Sequence, residues 1–242
     1  MNKNICLVIP CYNEGQRLSI KAFIEFIEKR DHYYLLFVND ASTDNTLEIL
    51  RSINHQRVQF LDINENVGKA EAIRRGVSHI PQHFDCSLYG YFDADMATPL
   101  SEIDSMLRKM NEGDYGLVFG SRLLRIGGNI KRSSIRHYIG RFFATLASLL
   151  LGLPIYDTQC GAKIFKKDLV PVLFEKEFST KWMFDVEIFY RLKDYFGIKE
   201  FYKQVYEMPL SKWTDIEQSK IKWIDFLMVP RDFLKIYFRY KK

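Results

Sequence analysis

The sequence predicts an α/β fold, a mostly parallel central sheet flanked by helices, with an amphipathic helical extension at the C-terminus. Three observations predict it. Apolar strand-like runs alternate with amphipathic helix-like segments through the first 120 residues. Polar clusters follow one run after another, as they do where a parallel sheet gathers its loops at the carboxyl edge. The chain is also long enough, at 242 residues with 47% hydrophobic content, to bury a sizeable core.

The elements follow in order. Ile5-Cys6-Leu7-Val8-Ile9 reads as a buried strand broken by Pro10, which lacks an N–H. Residues 18–30 read as a helix and 34–38 as the second strand. The polar loop 39–44 is rich in helix-capping residues and leads into a helix over 45–52. Strand three covers 58–61, and the loop 64–68 opens a helix over 69–79. Strand four, Leu88-Tyr89-Gly90-Tyr91-Phe92, is followed by a helix over 100–110 and strand five over 115–119. Beyond it, residues 130–151 read as one basic, then apolar helix. The polar loop 156–161 precedes a strand over 162–165, then a helix over 184–195 and a strand over 205–210. Residues 1–212 form the main domain and 213–242 a basic-aromatic helical tail that Pro230 should break or kink. No repeat, low-complexity tract or flexible linker is evident.

Strand four ends in Asp93-Ala94-Asp95. Side chains two apart leave the same face of a strand, so both carboxylates can converge on one ion while Ala94 turns away. Mg²⁺ or Mn²⁺ bound by one or two carboxylates plus substrate phosphates is the usual arrangement. Alone, the pair also fits solvated, helix-capping aspartates before Thr98-Pro99-Leu100. Five polar clusters on one sheet edge favour a ligand site: 10–15, 39–44, 64–69, 93–95 and 120–122. No G-x-G-x-x-G follows strand one and no G-x-x-x-x-G-K-[ST] occurs, which disfavours dinucleotide and P-loop cradles.

The net charge of +5 is unevenly spread. Residues 121–141 hold six basic residues, Arg122, Arg125, Lys131, Arg132, Arg136 and Arg141, and no acidic one. The last twelve residues are also strongly basic, and the rest of the chain is net acidic. Such local basicity points to phosphates, a lipid surface or nucleic acid. Nucleic acid is disfavoured because no known motif accompanies the run and an apolar helix lies behind it. Cys6, Cys11, Cys86 and Cys160 have no C-x-x-C spacing, so neither zinc site nor disulfide framework is indicated, and a reducing compartment fits. The start shows no signal peptide, and the longest apolar stretch, 142–153, is too short to span a bilayer.

As an ordered set, Pro10-Cys11-Tyr12-Asn13-Glu14, the 39–44 loop, Asn66-Val67-Gly68-Lys69-Ala70, Asp93-Ala94-Asp95 and Gly120-Ser121-Arg122 resemble the inverting family 2 glycosyltransferases of GT-A fold. Asp157-Thr158-Gln159-Cys160-Gly161-Ala162-Lys163 and Trp182-Met183-Phe184-Asp185-Val186-Glu187 are similar to the dolichyl-phosphate β-glucosyltransferase branch. The match runs over about residues 5–210, with Ala41 where the family usually has Gly and no transmembrane anchor at either end. The resemblance implies a metal-dependent hexosyltransferase moving glucose from UDP-glucose, with inversion, to dolichyl or undecaprenyl phosphate. Alternatives are transfer to a glycan hydroxyl in polysaccharide or capsule assembly, and a non-catalytic sugar-nucleotide-binding protein.

By that resemblance, Pro10, Tyr12, Glu14 and Asp40 line the uridine pocket, and Gly68, Lys69, Asp93, Ala94 and Asp95 the sugar-diphosphate side. Asp93 and Asp95 hold Mg²⁺ or Mn²⁺. Arg122, Lys131, Arg132 and Arg136 take the acceptor phosphate, Arg being suited by its forked donors. Gln159, Trp182, Asp185 and Glu187 shape the sugar pocket, and Asp157, Asp95 and Arg136 are the candidate catalytic groups. A phosphate acceptor is already anionic at pH 7, so Asp157 need not act as a base. The apolar residues 142–151 and the tail suit peripheral attachment to the cytoplasmic face of a membrane. Otherwise both stripes pack in the core or form a homo-oligomer contact.

Overall fold

The computed structural model describes residues 3–131, 134–216 and 223–240, with the side chains of 134–136 and 223–228 outside that description. The first half alternates strands β1 (Ile5–Cys11), β2 (Tyr33–Asp40), β3 (Val58–Ile63), β4 (Leu88–Phe92) and β5 (Leu117–Ser121) with helices α1 (Ile20–Glu28), α2 (Thr46–Arg51), α3 (Lys69–His79) and α4 (Ser101–Gly113). The second half adds β6 (Asn129–Lys131), α5 (Ser134–Leu151), β7 (Ala162–Lys166), α6 (Val170–Phe174), α7 (Phe184–Gln204), β8 (Val205–Pro209), β9 (Lys212–Thr214) and α8 (Trp223–Tyr240).

Seven strands form one sheet in the order β3-β2-β1-β4-β7-β5-β8. All neighbours are parallel except β7, which runs antiparallel between β4 and β5. β1, β2, β4 and β5 are apolar through their length because helices cover both faces. On one face, α1 and α4 bring apolar residues at helical spacing, Ile103, Met106, Leu107 and Met110 in α4. On the other, α3 lies so close that a Cβ at Gly76 would meet Val8 Cγ1 at 2.6 Å. Every parallel strand therefore delivers its carboxyl end to one edge.

Several expectations are corrected. Pro10 lies inside β1: pairing with β4 stops at Val8↔Tyr91, so one flank of the strand is already open where the missing N–H falls. The helix expected over 130–151 starts at Ser134, because Ile130 is buried and paired with Trp213 in a two-stranded β6–β9 sheet. That sheet crosses the expected division between residues 212 and 213. The helix from Phe184 continues to Gln204 with an interruption at Gly197 (φ 70°, ψ 161°), a conformation essentially open to glycine alone. Pro230 sits within α8 without ending it. Of the apolar tail residues, Ile221 lies outside the described residues, as do the side chains of Ile224, Phe226 and Leu227. Ile236 is buried and Tyr240 stacks on Tyr190 of α7, so the end of α8 packs on the main body.

Ala41 has φ 53°, a left-handed conformation that costs a residue with a Cβ about 1–2 kcal/mol. Glycine there removes that cost but loses roughly 0.4–1 kcal/mol through a freer unfolded chain. Ala41→Gly is expected to raise the urea-unfolding free energy by about 0.5–1 kcal/mol.

Candidate functional site: a carboxylate-centred cleft at the sheet edge

The first two loops are stitched together by their own side chains. Asn13 takes a left-handed φ of 51°; its N–H donates to Ser42 Oγ (3.0 Å) and its Oδ1 accepts the Thr43 N–H (2.7 Å). Glu14 N–H donates to Thr46 Oγ1 at 2.8 Å and Gly15 N–H to Asp44 Oδ2 at 2.9 Å. Tyr12 stays 40% exposed at this edge, enough ring face for a planar base. Glu14, expected in the uridine pocket, is buried and accepts from Arg17 Nε and an Arg17 terminal nitrogen. Asp40 is 3% exposed, and its two oxygens take the Val67 and Gly68 N–H groups at 2.8 and 2.9 Å. What it does here is anchor the loop that starts α3.

Asp93 lies at the centre. Its Oδ1 accepts from Lys69 Nζ at 2.5 Å, and a Cβ at Gly161 would fall 1.8 Å from its Oδ2. Only glycine permits the turn before β7 to approach the carboxylate this closely. Asp95 accepts the Ala97 N–H at 3.0 Å across Met96, whose φ is 56°. Burial, then the charge of Asp93, raises the Asp95 pKa. Burial pulls the Lys69 ammonium down, but Asp93, Asp185 and Asp95 outweigh it, and its pKa is raised. Two hard carboxylates sharing repulsion at a half-open strand end fit Mg²⁺ or Mn²⁺ completed by water or phosphate. Among the described residues no third carboxylate, His or Cys joins them.

Asp157 and Arg122 form the opposite wall. The Asp157 carboxylate accepts Arg122 Nε at 2.7 Å, a terminal nitrogen at 2.8 Å and the Arg122 backbone N–H at 3.0 Å. Burial pulls the Arg122 pKa down, but Asp157 and, more weakly, Cys160 and Asp93 drive it above the usual arginine value. Arg122, expected at the acceptor phosphate, is thus a cation already paired with Asp157. Lys131 is exposed in β6. Arg132 and the side chain of Arg136 lie outside the described residues.

Asp185 and Glu187, expected to shape the sugar pocket, are both engaged by groups of the protein itself. Asp185, 3% exposed, binds Tyr91 Oη and lies 2.7 Å from Lys163 Nζ. Glu187 is fully buried and holds the Ser179 and Thr180 N–H groups. Both carboxylates lie in the buried first turn of α7, and Asp185 is still close enough to the cleft to help raise the Lys69 pKa. Trp182 is partly buried against the core. Gln159 Nε2 is buried with no acceptor among the described residues, which leaves a donor for a ligand.

Two residues went unassigned in the sequence. Lys163 is fully buried and donates to the Thr158 and Cys160 carbonyls at 3.0 and 2.7 Å. A lysine in mid-strand, flanked by Ala162 and Ile164, was the available signal. Glu207 of β8 accepts the Tyr156 and Asp157 N–H groups at 2.8 and 2.7 Å and fixes the same turn.

Residues 6–174 match the family described as Glycosyl transferase family 2. The chain belongs to that family. Among curated relatives, this family 2 glycosyltransferase is 29% identical to the dolichyl-phosphate β-glucosyltransferase of Saccharomyces cerevisiae, over 98% of this chain and 75% of the relative. It is 28% identical to the human protein of the same name (98% and 76%) and 27% to that of Dictyostelium discoideum (99% and 75%). Its GT-A fold is shared with Mycobacterium tuberculosis glucosyl-3-phosphoglycerate synthase, solved with Mn²⁺, UDP and glucosyl-3-phosphoglycerate. The TM-score is 0.68 at 16% identity, covering 98% of this chain and 80% of the other.

Gly161→Ala must displace the Asp93 carboxylate. Misplacing a reacting centre by about 1 Å can cost on the order of 100-fold in rate. Glycosyl transfer by Gly161→Ala is expected to fall by about that factor in a steady-state assay, with near-wild-type circular dichroism.

Proposed function

We propose that the protein transfers glucose from UDP-glucose, with inversion, to the phosphate of a polyprenyl lipid at a membrane surface. The observation that carries this reading is the engagement of Asp157. A hydroxyl acceptor needs a general base, and the carboxylate placed for that work accepts three hydrogen bonds from Arg122 instead. Glu207 is occupied by two backbone N–H groups and Asp185 by Lys163 and Tyr91. A phosphate monoester at neutral pH brings its own nucleophilic oxygen. A polyprenyl phosphate, dolichyl phosphate, is also the acceptor in the names of the relatives.

Tyr12 offers a stacking face to uracil, and the Asp40-anchored loop presents Gly68 and Lys69 to the donor diphosphate. Gln159 Nε2 donates to a sugar hydroxyl. The acceptor oxygen bonds to the anomeric carbon from the face opposite UDP, the bond from that carbon to the diphosphate oxygen breaks, and UDP leaves with the electron pair. Arg122 and Lys131 steady the acceptor phosphate. A divalent cation held by Asp93 and Asp95, when bound, offsets charge on the departing diphosphate.

The membrane assignment rests on α5. Tyr138, Phe142, Leu146 and Leu149 recur on one exposed stripe, Phe142 at 62% and Leu149 at 73%, while Ala147 and Leu151 on the other side are buried. Leu124, Ile126, Leu234 and Phe238 are also exposed, close in sequence to basic residues. Among the described residues no helix is long and apolar enough to cross a membrane. No disulfide joins the four buried cysteines, which fits the cytoplasmic face.

The test incubates purified protein with liposomes containing polyprenyl phosphate and labelled UDP- or GDP-sugars, with and without EDTA. Label is expected in the lipid phase from UDP-glucose and only without EDTA; transfer to a soluble glycan alone would overturn the reading. Phe142→Glu with Leu149→Glu is expected to cut liposome co-sedimentation at least five-fold while UDP binding is unchanged.

A further inference from the structure

The turn before α7 carries a cation across the donor edge. Lys181 is exposed, and its side-chain carbons lie on Gly68: a Cβ built at Gly68 would come 3.3 Å from Lys181 Cδ and 3.5 Å from its Cβ and Cγ. Gly68 caps the N-terminus of α3 with φ 86°, its N–H held by Asp40, and the next residue, Lys69, is paired with Asp93. The stem of Lys181 therefore crosses the turn that opens α3, where the helix dipole already favours an anion. Lys69 is neutralised by Asp93, whereas among the described residues the Lys181 ammonium has no ion-pair partner.

The turn carrying Lys181 is held from behind with unusual thoroughness. Buried Glu187 accepts Ser179 N–H at 2.8 and 3.0 Å and Thr180 N–H at 3.1 Å. Tyr240, in the last turn of α8, donates to Glu187 Oε2 at 3.2 Å and accepts from Arg191 Nε at 3.0 Å. Arg191 also donates to the Leu173, Lys176 and Glu177 carbonyls at 2.6–2.9 Å. Arg239 donates to Ser179 Oγ at 2.6 Å and to the Glu177 carbonyl at 3.2 Å. Residues 173–180 are thereby clamped between α7 and the end of the C-terminal helix.

We infer that Lys181 contacts the anionic diphosphate of the donor nucleotide sugar, and that Arg239 and Tyr240 are positioning residues that hold its turn over Gly68. The inference rests on the UDP-sugar reading above. It gives the C-terminal helix a part in donor binding besides any contact with lipid. A lysine suits the position because its compact charge on a flexible stem can follow the diphosphate as it departs.

Calorimetric titration with UDP in the presence of Mn²⁺, without acceptor, tests it, with uridine as the probe lacking diphosphate. Lys181→Ala is expected to weaken UDP about ten-fold and to flatten its salt dependence, to leave uridine unchanged, and to be largely rescued in Lys181→Arg. Arg239→Ala and Tyr240→Phe are expected to weaken UDP several-fold alone and to add nothing on top of Lys181→Ala. Unaltered UDP binding by Lys181→Ala, or equal loss of UDP and uridine, overturns the diphosphate contact. Full additivity of Arg239→Ala with Lys181→Ala overturns the positioning role. Wild-type protein that binds no UDP overturns the donor reading itself, and this inference with it.

Discussion

A lysine ammonium without solvent has to be satisfied by the protein, and at Lys163 that requirement organises the site. Its side chain is 0% exposed, with the rings of Tyr91, Phe119 and Phe189 around it. Burying such a charge unpaired costs several kcal/mol, so its partners are fixed in place. They are the Thr158 and Cys160 carbonyls and the Asp185 carboxylate, which Tyr91 also holds. One side chain thus links the turn 157–161, β4 and α7.

From that point the order of charges follows. The turn lays Gly161 against Asp93 and brings Asp157 to Arg122; Lys69 closes on Asp93 from α3. Asp93 then pairs with Lys69 while Arg122 is held by Asp157, and burial with the Asp93 charge raises the pKa of Asp95 beside it. Such a cleft has negative charge at Asp93 and Asp95 for a metal, while Asp157, Glu207 and Asp185 are held by hydrogen bonds rather than free to take a proton from an acceptor. An acceptor that arrives already ionised suits these constraints better than an alcohol. The two-sided α5, with Ala147 and Leu151 in the core and Phe142 and Leu149 outside, suits an acceptor delivered by a membrane.

The parallel half was legible because its signals are local. Continuous apolar strands, helices with apolar residues at i, i+3, i+4 and i+7, and polar loops after each strand placed β1 to β5 and the edge cluster. The second half depends on contacts between distant residues. Residues 129–131 are a strand because Trp213, more than eighty positions later, pairs with Ile130. Glu187 looked like a pocket residue because it follows Trp182 and Asp185 in a polar-aromatic motif, yet its helix turns it onto Ser179 and Thr180. The Ala41 position, where glycine is expected, became intelligible once its φ was seen to be left-handed. Lys163 was visible as a charge in an apolar strand, but its role needed the partners that only the fold supplies.

The central claim is that the Lys163–Asp185 pair positions the cleft rather than merely stabilising the core. Replacing a whole buried pair with apolar residues is often neutral for stability, whereas removing one member costs about 3–5 kcal/mol. The decisive measurement is therefore the Lys163→Met, Asp185→Leu double variant, followed by urea unfolding and by single-turnover glucosyl transfer. The account predicts an unfolding free energy within about 2 kcal/mol of wild type and a transfer rate lowered by about 100-fold or more. A double variant that folds as well as wild type and transfers at the wild-type rate would contradict it.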